Sequence, residues 1–227
     1  MIFFRRWRFL MACMPVLLAF LPNTSWAERG DILDYSLFGI TPVHVESAQD
    51  FLEPEVRSVC WGMTPEMVIE RDGVTSHTPM NRGSLLYISV PATSVANIPC
   101  SLTYIFTENA LSGISCAFYS DTFRLDEDIT HFLRLEALLT EKYGTPLEKR
   151  CLWENSESPY REDPNAFGMA VAMGDLRYQT EWNTGISTIH LNLEGEHFRP
   201  RLTLRYQSTR LAEKENEAAR KVLLSEL

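Results

Sequence analysis

Beyond Cys13 the chain carries four cysteines, Cys60, Cys100, Cys116 and Cys151, and an even number of thiols suggests disulfide chemistry in any compartment that oxidises them. Two bridges are the expectation, and three pairings satisfy it. Cys100 and Cys116 fall on consecutive predicted strands around Glu108-Asn109-Ala110-Leu111. They are directly opposite only if the turn centres near Glu108. A centre nearer Asn109 or Ala110 leaves them diagonal, beyond the Cα separation a disulfide tolerates. The expectation therefore favours bridges that tie Cys60 or Cys151 to the sheet. No two cysteines have the C-x2-4-C spacing of a zinc knuckle, and no cofactor is expected.

Other chemistry is harder to assemble from the sequence. A serine hydrolase needs a nucleophile elbow of the G-x-S-x-G kind, which neither Arg82-Gly83-Ser84 nor Ser112-Gly113-Ile114-Ser115 supplies. The five histidines are scattered. Only His190, with Glu194, Glu196 and His197, has sequence neighbours that could ligate one metal together, and residues beside a turn are usually solvated. Paired carboxylates for glycoside chemistry cannot be singled out in so acidic a chain. Asn155 to Asn165 is a long acidic loop of the kind that can carry binding, but it lacks the D-x-D-x-D-G spacing of a calcium loop. Trp61, Trp153 and Trp182 read either as a recognition face or as core anchors beside strand and helix starts.

The compartment follows from the first 27 residues. Arg5, Arg6 and Arg8, an apolar run from Met11 to Leu21, and Ser25-Trp26-Ala27 read as a cleaved signal peptide. The apolar run is shorter than the roughly 20 residues that span hydrocarbon. A periplasmic or secreted protein is expected, with no transmembrane segment after cleavage. Losing Met1 to Ala27 removes three arginines and no acids, taking the formal charge from −9 to −12. Such a chain repels phosphate backbones, so nucleic acid is not an expected partner.

The remaining roughly 200 residues are enough for one good core. Residues 28–58 are irregular, with strand-like pieces at Leu37 to Ile40 and Pro42 to Val45. Residues 59–208 form an α+β domain with two strand sets. Thr64 is placed as an N-cap with Pro65 at the first helical position, which predicts a helix from Pro65 to Arg71. Strands are predicted at Ser84 to Pro91, Cys100 to Thr107 and Gly113 to Ser120. Asp126 to Tyr143 is an amphipathic helix through Ile129, Phe132, Leu133, Leu135, Leu138 and Leu139, stopped by Gly144 and Pro146. A second strand set follows at Arg150 to Glu154, Gly174 to Trp182, Ile186 to Leu193 and Arg199 to Gln207. Asn183-Thr184-Gly185 and Glu194-Gly195-Glu196 are its expected turns, and Ile189, Leu191 and Leu193 are its expected core face. Residues 209–227 read as a charged helix or tail with a thin apolar stripe through Leu211, Ala218, Val222 and Leu223. The predicted fold is antiparallel sheet covered by helices, with a twofold helix-plus-meander repeat.

Trp61-Gly62-Met63-Thr64-Pro65-Glu66-Met67-Val68 resembles the W/F-G-M-S/T-x-E-x-V opening of many largely uncharacterised exported bacterial proteins. Leu102-Thr103-Tyr104-Ile105-Phe106, the segment Leu135 to Pro146, and Thr188 to Leu193 extend the resemblance over about Cys60 to Ser208. The opening is also distantly similar to that of the small outer-membrane assembly lipoproteins and of β-lactamase-inhibitor-like folds. The resemblance implies a helix-and-sheet module that binds other proteins. The expectation is thus an exported non-catalytic module that binds an envelope or extracellular protein. The competing expectations are a secreted hydrolase with a site assembled from scattered residues, and a carrier of a small ligand or metal.

Overall fold

The computed structural model describes residues 56–120 and 124–225, within the unit that runs from Ser47 to Leu227. The leader and the strand-like pieces between Leu37 and Val45 lie outside the described residues. The elements in chain order are α1 (Pro65–Arg71), β1 (Thr78–Arg82), β2 (Leu85–Val95), β3 (Ile98–Thr107), β4 (Ala110–Phe118), α2 (Leu125–Tyr143), β5 (Glu148–Trp153), α3 (Phe167–Met173), β6 (Leu176–Asn183), β7 (Ser187–Glu196), β8 (Arg199–Ser208) and α4 (Ala212–Ser225). No helix among the described residues is long and apolar enough to cross a membrane.

Local chemistry explains several of these boundaries. Thr64 caps α1 as expected, its hydroxyl accepting from the Met67 N–H, while Pro65 occupies the first helical position. Acidic residues fill the first turn of α2, and Gly144 closes it at φ 84°. Three hairpins turn through two residues that both have positive φ: Ala96-Asn97, Glu108-Asn109 and His197-Phe198. Such turns match the right-handed twist of the strands they join. Because none contains glycine, they carry little of the usual hairpin signal.

The two expected strand sets are one continuous antiparallel sheet in the order β1-β2-β3-β4-β8-β7-β6-β5. Each four-strand meander follows a helix, and the meanders meet where β4 pairs with β8, Ile114 opposite Tyr206. The inner face holds the core: Leu102, Tyr104 and Phe106 from β3, Ile114 and Cys116 from β4, Leu202 and Leu204 from β8, and Ile189, Leu191 and Leu193 from β7. Phe132, Leu135 and Leu139 of α2 cover it, as does α3, which packs on β6, β7 and β8. Leu133 and Leu138, which belong to the expected apolar stripe of α2, are instead exposed.

Two further expectations are corrected. Glu194-Gly195-Glu196 is not a turn but the end of β7, where Gly195 pairs with Pro200. The chain reverses two residues later, because the strand must continue far enough to bring Gly195 against α3. The C-terminal segment does form a helix, but its stripe is narrower than expected, with Ala218 buried and Leu223 exposed. α4 lies on the outer face of the sheet, where Ala218 and Ala219 meet Leu85, Tyr87 and Ile105.

Candidate functional site

No disulfide joins any two of Cys60, Cys100, Cys116 and Cys151, which overturns the expected pair of bridges. Topology explains why. Cys151 lies on β5, four strand spacings from β4, or about 19 Å from Cys116 at about 4.8 Å per spacing. Cys60 precedes a segment tied to the start of β4 through Gly62 N–H to Leu111 O (2.9 Å) and Leu111 N–H to Met63 O (2.8 Å). Cys116 is five residues further along β4 than that anchor at Leu111, about 17 Å by strand rise. Cys100 faces Phe118 and Cys116 faces Leu102, so the two are diagonal, a register set by the slip between Ile105 and Phe106 beyond the Glu108-Asn109 turn.

The other residues with possible chemistry are dispersed. Among the described residues, no group of three or more His, Cys, Asp and Glu side chains gathers as a metal cluster. His77 is exposed and His131 half-buried, and His44 lies outside the described residues. His190 points outward from the middle of β7, while His197 sits in the strained β7–β8 turn. Trp61 and Trp182 are buried and donate to Ser187 Oγ (2.8 Å) and Gly144 O (3.2 Å), so both act as core anchors. Trp153 stacks edge-on with Phe167 beneath the Arg161 guanidinium. Ser112 is consumed by bonds with Thr107 Oγ1 and Ile105 O.

Two polar arrangements emerge from the fold. The first is the outer sheet face. The registers align Thr78, Ser89, Thr103, Ser115, Arg205, His190, Glu181 and Glu148 in one row across all eight strands. Beside it run Ser101, Ala117, Thr203, Asn192, Gln179 and Arg150. Strand alternation puts these side chains opposite the core, so the β5–β8 half of this face is polar at position after position. A groove of about 220 Å³ opens there, lined by Glu148, Arg150, Gln179, Thr180, Glu181, His190 and Asn192. His190 Nδ1 lies 3.6 Å from Glu181 Oε2, and both side chains are about one-third exposed, at 35% and 32%. Arg205 is drawn toward α4 by the Glu215 carboxylate.

The second arrangement gathers around the buried carboxylate of Asp72, at the C-terminal end of α1. Its carboxylate accepts from Arg57 Nε (3.0 Å), Ser58 Oγ (3.0 Å) and the Tyr104 hydroxyl. Arg57 also reaches Thr93 Oγ1 at 3.3 Å. A cavity of about 260 Å³ adjoins it, lined in part by Arg57, Asp72, Thr93 and Leu102. It sits where the β2–β3 register slips between Val90 and Thr93. The sequence reading missed this node because its members, 57, 58, 72, 93 and 104, have no informative spacing.

Burial raises three tyrosines above their ordinary range. Tyr104 is raised further by its bond to Asp72, Tyr206 by neighbouring Tyr143, and Tyr178, pushed up to about 12, by Cys151. A raised phenol is held neutral in the fold, so its contribution to stability is complete below the unfolded value near pH 10 and is lost as pH climbs beyond it. Absorbance at 295 nm should therefore show Tyr104, Tyr178 and Tyr206 still un-ionised above pH 10, with Tyr178 titrating near pH 12. A single transition near pH 10 with the fold intact would contradict this.

Comparison of the chain with protein families, with curated proteins and with solved structures found no match to any of them.

Proposed function

We propose that this protein is an exported, non-catalytic binding module for another envelope or extracellular protein, and that the outer face of β5, β6, β7 and β8 is its contact surface. The observation that carries the reading is the register. At successive outward positions these strands present Glu148, Arg150, Gln179, Glu181, His190, Asn192 and Thr203, a broad hydrogen-bonding surface over a shallow groove. A folded partner fits such a surface better than an enclosed small ligand does, since ligand pockets are concave and mostly apolar. The export leader and the resemblance of the Trp61-Gly62-Met63-Thr64 opening to exported binding modules support the same reading. On this view the two helix-plus-meander halves are a twofold repeat, with α4 packed on the outer face of the first and reaching the second at Arg205 and Gln207 of β8.

The test is site-specific photocrosslinking in the native envelope. A crosslinker at Gln179 or Asn192 should yield one discrete, reproducible adduct that the combined change Arg150→Ala, Glu181→Ala and His190→Ala abolishes, with the melting temperature almost unchanged. Surface substitutions of this kind usually alter stability by no more than about 0.5 kcal/mol. Equal adducts from a crosslinker at exposed Leu133 on α2, or none from the sheet face, would defeat the proposal.

The hydrolase reading draws on one observation, the His190–Glu181 pair in an open groove. Thr180 borders that groove, but its hydroxyl turns to the opposite face of the sheet, where Oγ1 donates at 2.6 Å to Glu136 of α2. A covalent acyl mechanism therefore has no available nucleophile there.

A further inference from the structure

Arg57 stands in a backbone conformation that a non-glycine residue seldom adopts, at φ 59°. The turn is pinned on both sides by buried valines, with Val59 N–H donating to Val56 O at 3.2 Å. Strain of this kind persists only where the surroundings fix it, and it collects at ligand-binding positions. Its effect here is to hold one guanidinium in the wall of the cavity between the segment after α1 and the β2 bulge. Asp72, whose side chain is 6% exposed, accepts from Nε at 3.0 Å, and Thr93 Oγ1 accepts from Nη1 at 3.3 Å. Among the described residues these bonds engage two of the five guanidinium N–H groups, which leaves both on Nη2 to meet a ligand.

We infer that this cavity binds a small aliphatic monocarboxylate, with Arg57 as its anchor. The planar fork of a guanidinium meets a carboxylate through paired, charge-assisted hydrogen bonds. Asp72 already accepts from Arg57, Ser58 and Tyr104, so it positions the guanidinium and does not touch the ligand. It also offsets part of the Arg57 charge, which suits a single negative charge better than a phosphate dianion. Much of the remaining lining is aliphatic, from Val74, Val90, Pro91, Ala92 and Leu102. A hydrocarbon tail covers that surface, whereas a free inorganic anion leaves it wet. Size sets the upper limit: a cavity of about 150 Å³ holds benzene, so one of about 260 Å³ takes a molecule of about ten heavy atoms. Val90 and Leu102 pair across β2 and β3 on the inner face of the sheet, away from the polar groove of β5 to β8, so this site stands independently of the protein-binding surface.

The probe is hexanoate, titrated into the full chain labelled with nitrogen-15 and followed by NMR. Saturable shifts should appear at the amides of Val74, Thr75, Ala92 and Thr93, with half-saturation at about 1 mM or below. Gln179 and Asn192, in the other groove, should stay still. Hexanol keeps the tail and acetate keeps the charge, and each should bind at least about tenfold more weakly than hexanoate. Ala92→Phe, at an exposed position in the bulge, should close the cavity and abolish the shifts while leaving the ion pair untouched. Arg57→Gln should weaken hexanoate by roughly tenfold or more and leave hexanol unchanged. Hexanol binding as tightly as hexanoate would remove Arg57 as the anchor, and acetate binding as tightly would reduce the site to an adventitious anion. Either result overturns the inference, as do shifts that fail to saturate or that survive Ala92→Phe. The Ala92→Phe result and the comparison of the three probes stand even if Arg57→Gln disturbs the bonds around Asp72.

Discussion

Gly195→Ala is expected to be among the most damaging single-methyl changes in this protein, lowering the melting temperature by roughly 10 °C. A Cβ at Gly195 would land on the carbonyl oxygen of Val171, with the Val171 carbonyl carbon at 2.7 Å and the Ala172 Cα at 2.9 Å. All three are backbone atoms of α3, so no flexible side chain can move aside. The contact is reinforced by Phe198 N–H donating to Ala172 O at 3.1 Å, which fixes the hairpin tip on the end of the same helix. Relief requires α3 to withdraw from β7, and Ala170, Val171 and Ala172, all fully buried, would leave the core with it. Overpacking costs about 1–3 kcal/mol when side chains can relax, and rises to about 4 when backbone must shift. For a domain of this size each kcal/mol is worth about 2–4 °C. Calorimetry decides it: a shift below about 3 °C would show that α3 is loosely held. Ser187→Ala should do less, since it removes the acceptor of the Trp61 indole N–H without forcing backbone apart.

Gly195 also shows where the sequence was readable and where it was not. Glycine between two glutamates reads locally as a turn, whereas its actual role is to admit a helix that lies more than twenty residues earlier in the chain. Helix α1 was legible to the residue because an N-cap, a proline and an acidic first turn act within a few positions of one another. The period-two pattern of Ile189, Leu191 and Leu193 was legible because strand alternation is local too. β1 left no trace, since Thr78 to Arg82 is an exposed edge strand with no apolar face to pattern. α3 follows a long polar loop and is held by tertiary contact with β6, β7 and β8, so its periodicity is too short to register.

The candidate sites divide along the same line. That His190 faces away from Leu191 could be read from alternation. That it stands between Glu181 and Arg205 depends on strand order, and the join of β4 to β8 is a long-range pairing that no local signal encodes. The cysteines failed as disulfides for the same reason. Their even number encouraged pairing, whereas the register and the four strand spacings between β4 and β5 decided against it.

Asp72→Ala should cost about 3–5 kcal/mol, well above the cost of Tyr104→Phe, and the inequality follows from what each change leaves behind. Removing the carboxylate strips the Arg57 guanidinium of its ion pair and leaves the buried Tyr104 hydroxyl without its acceptor, while Ser58 Oγ keeps the Arg71 carbonyl at 3.1 Å. Breaking a largely buried pair from one side carries a penalty of about 3–5 kcal/mol. Arg57 is 36% exposed and can turn toward water, which favours the lower end of that range. Tyr104→Phe removes one donor but leaves Asp72 with Arg57 and Ser58, so only the net value of a bond to a charged group is lost, about 1.5–3 kcal/mol. In the double variant the phenol no longer needs an acceptor, and the Asp72→Ala cost should shrink by at least about 1 kcal/mol. Urea unfolding of the four proteins measures that coupling. Strict additivity would mean that Tyr104 and Asp72 stand side by side without depending on one another, and the cavity between α1 and the β2 bulge would then lack the rigid wall that the bonded trio gives it.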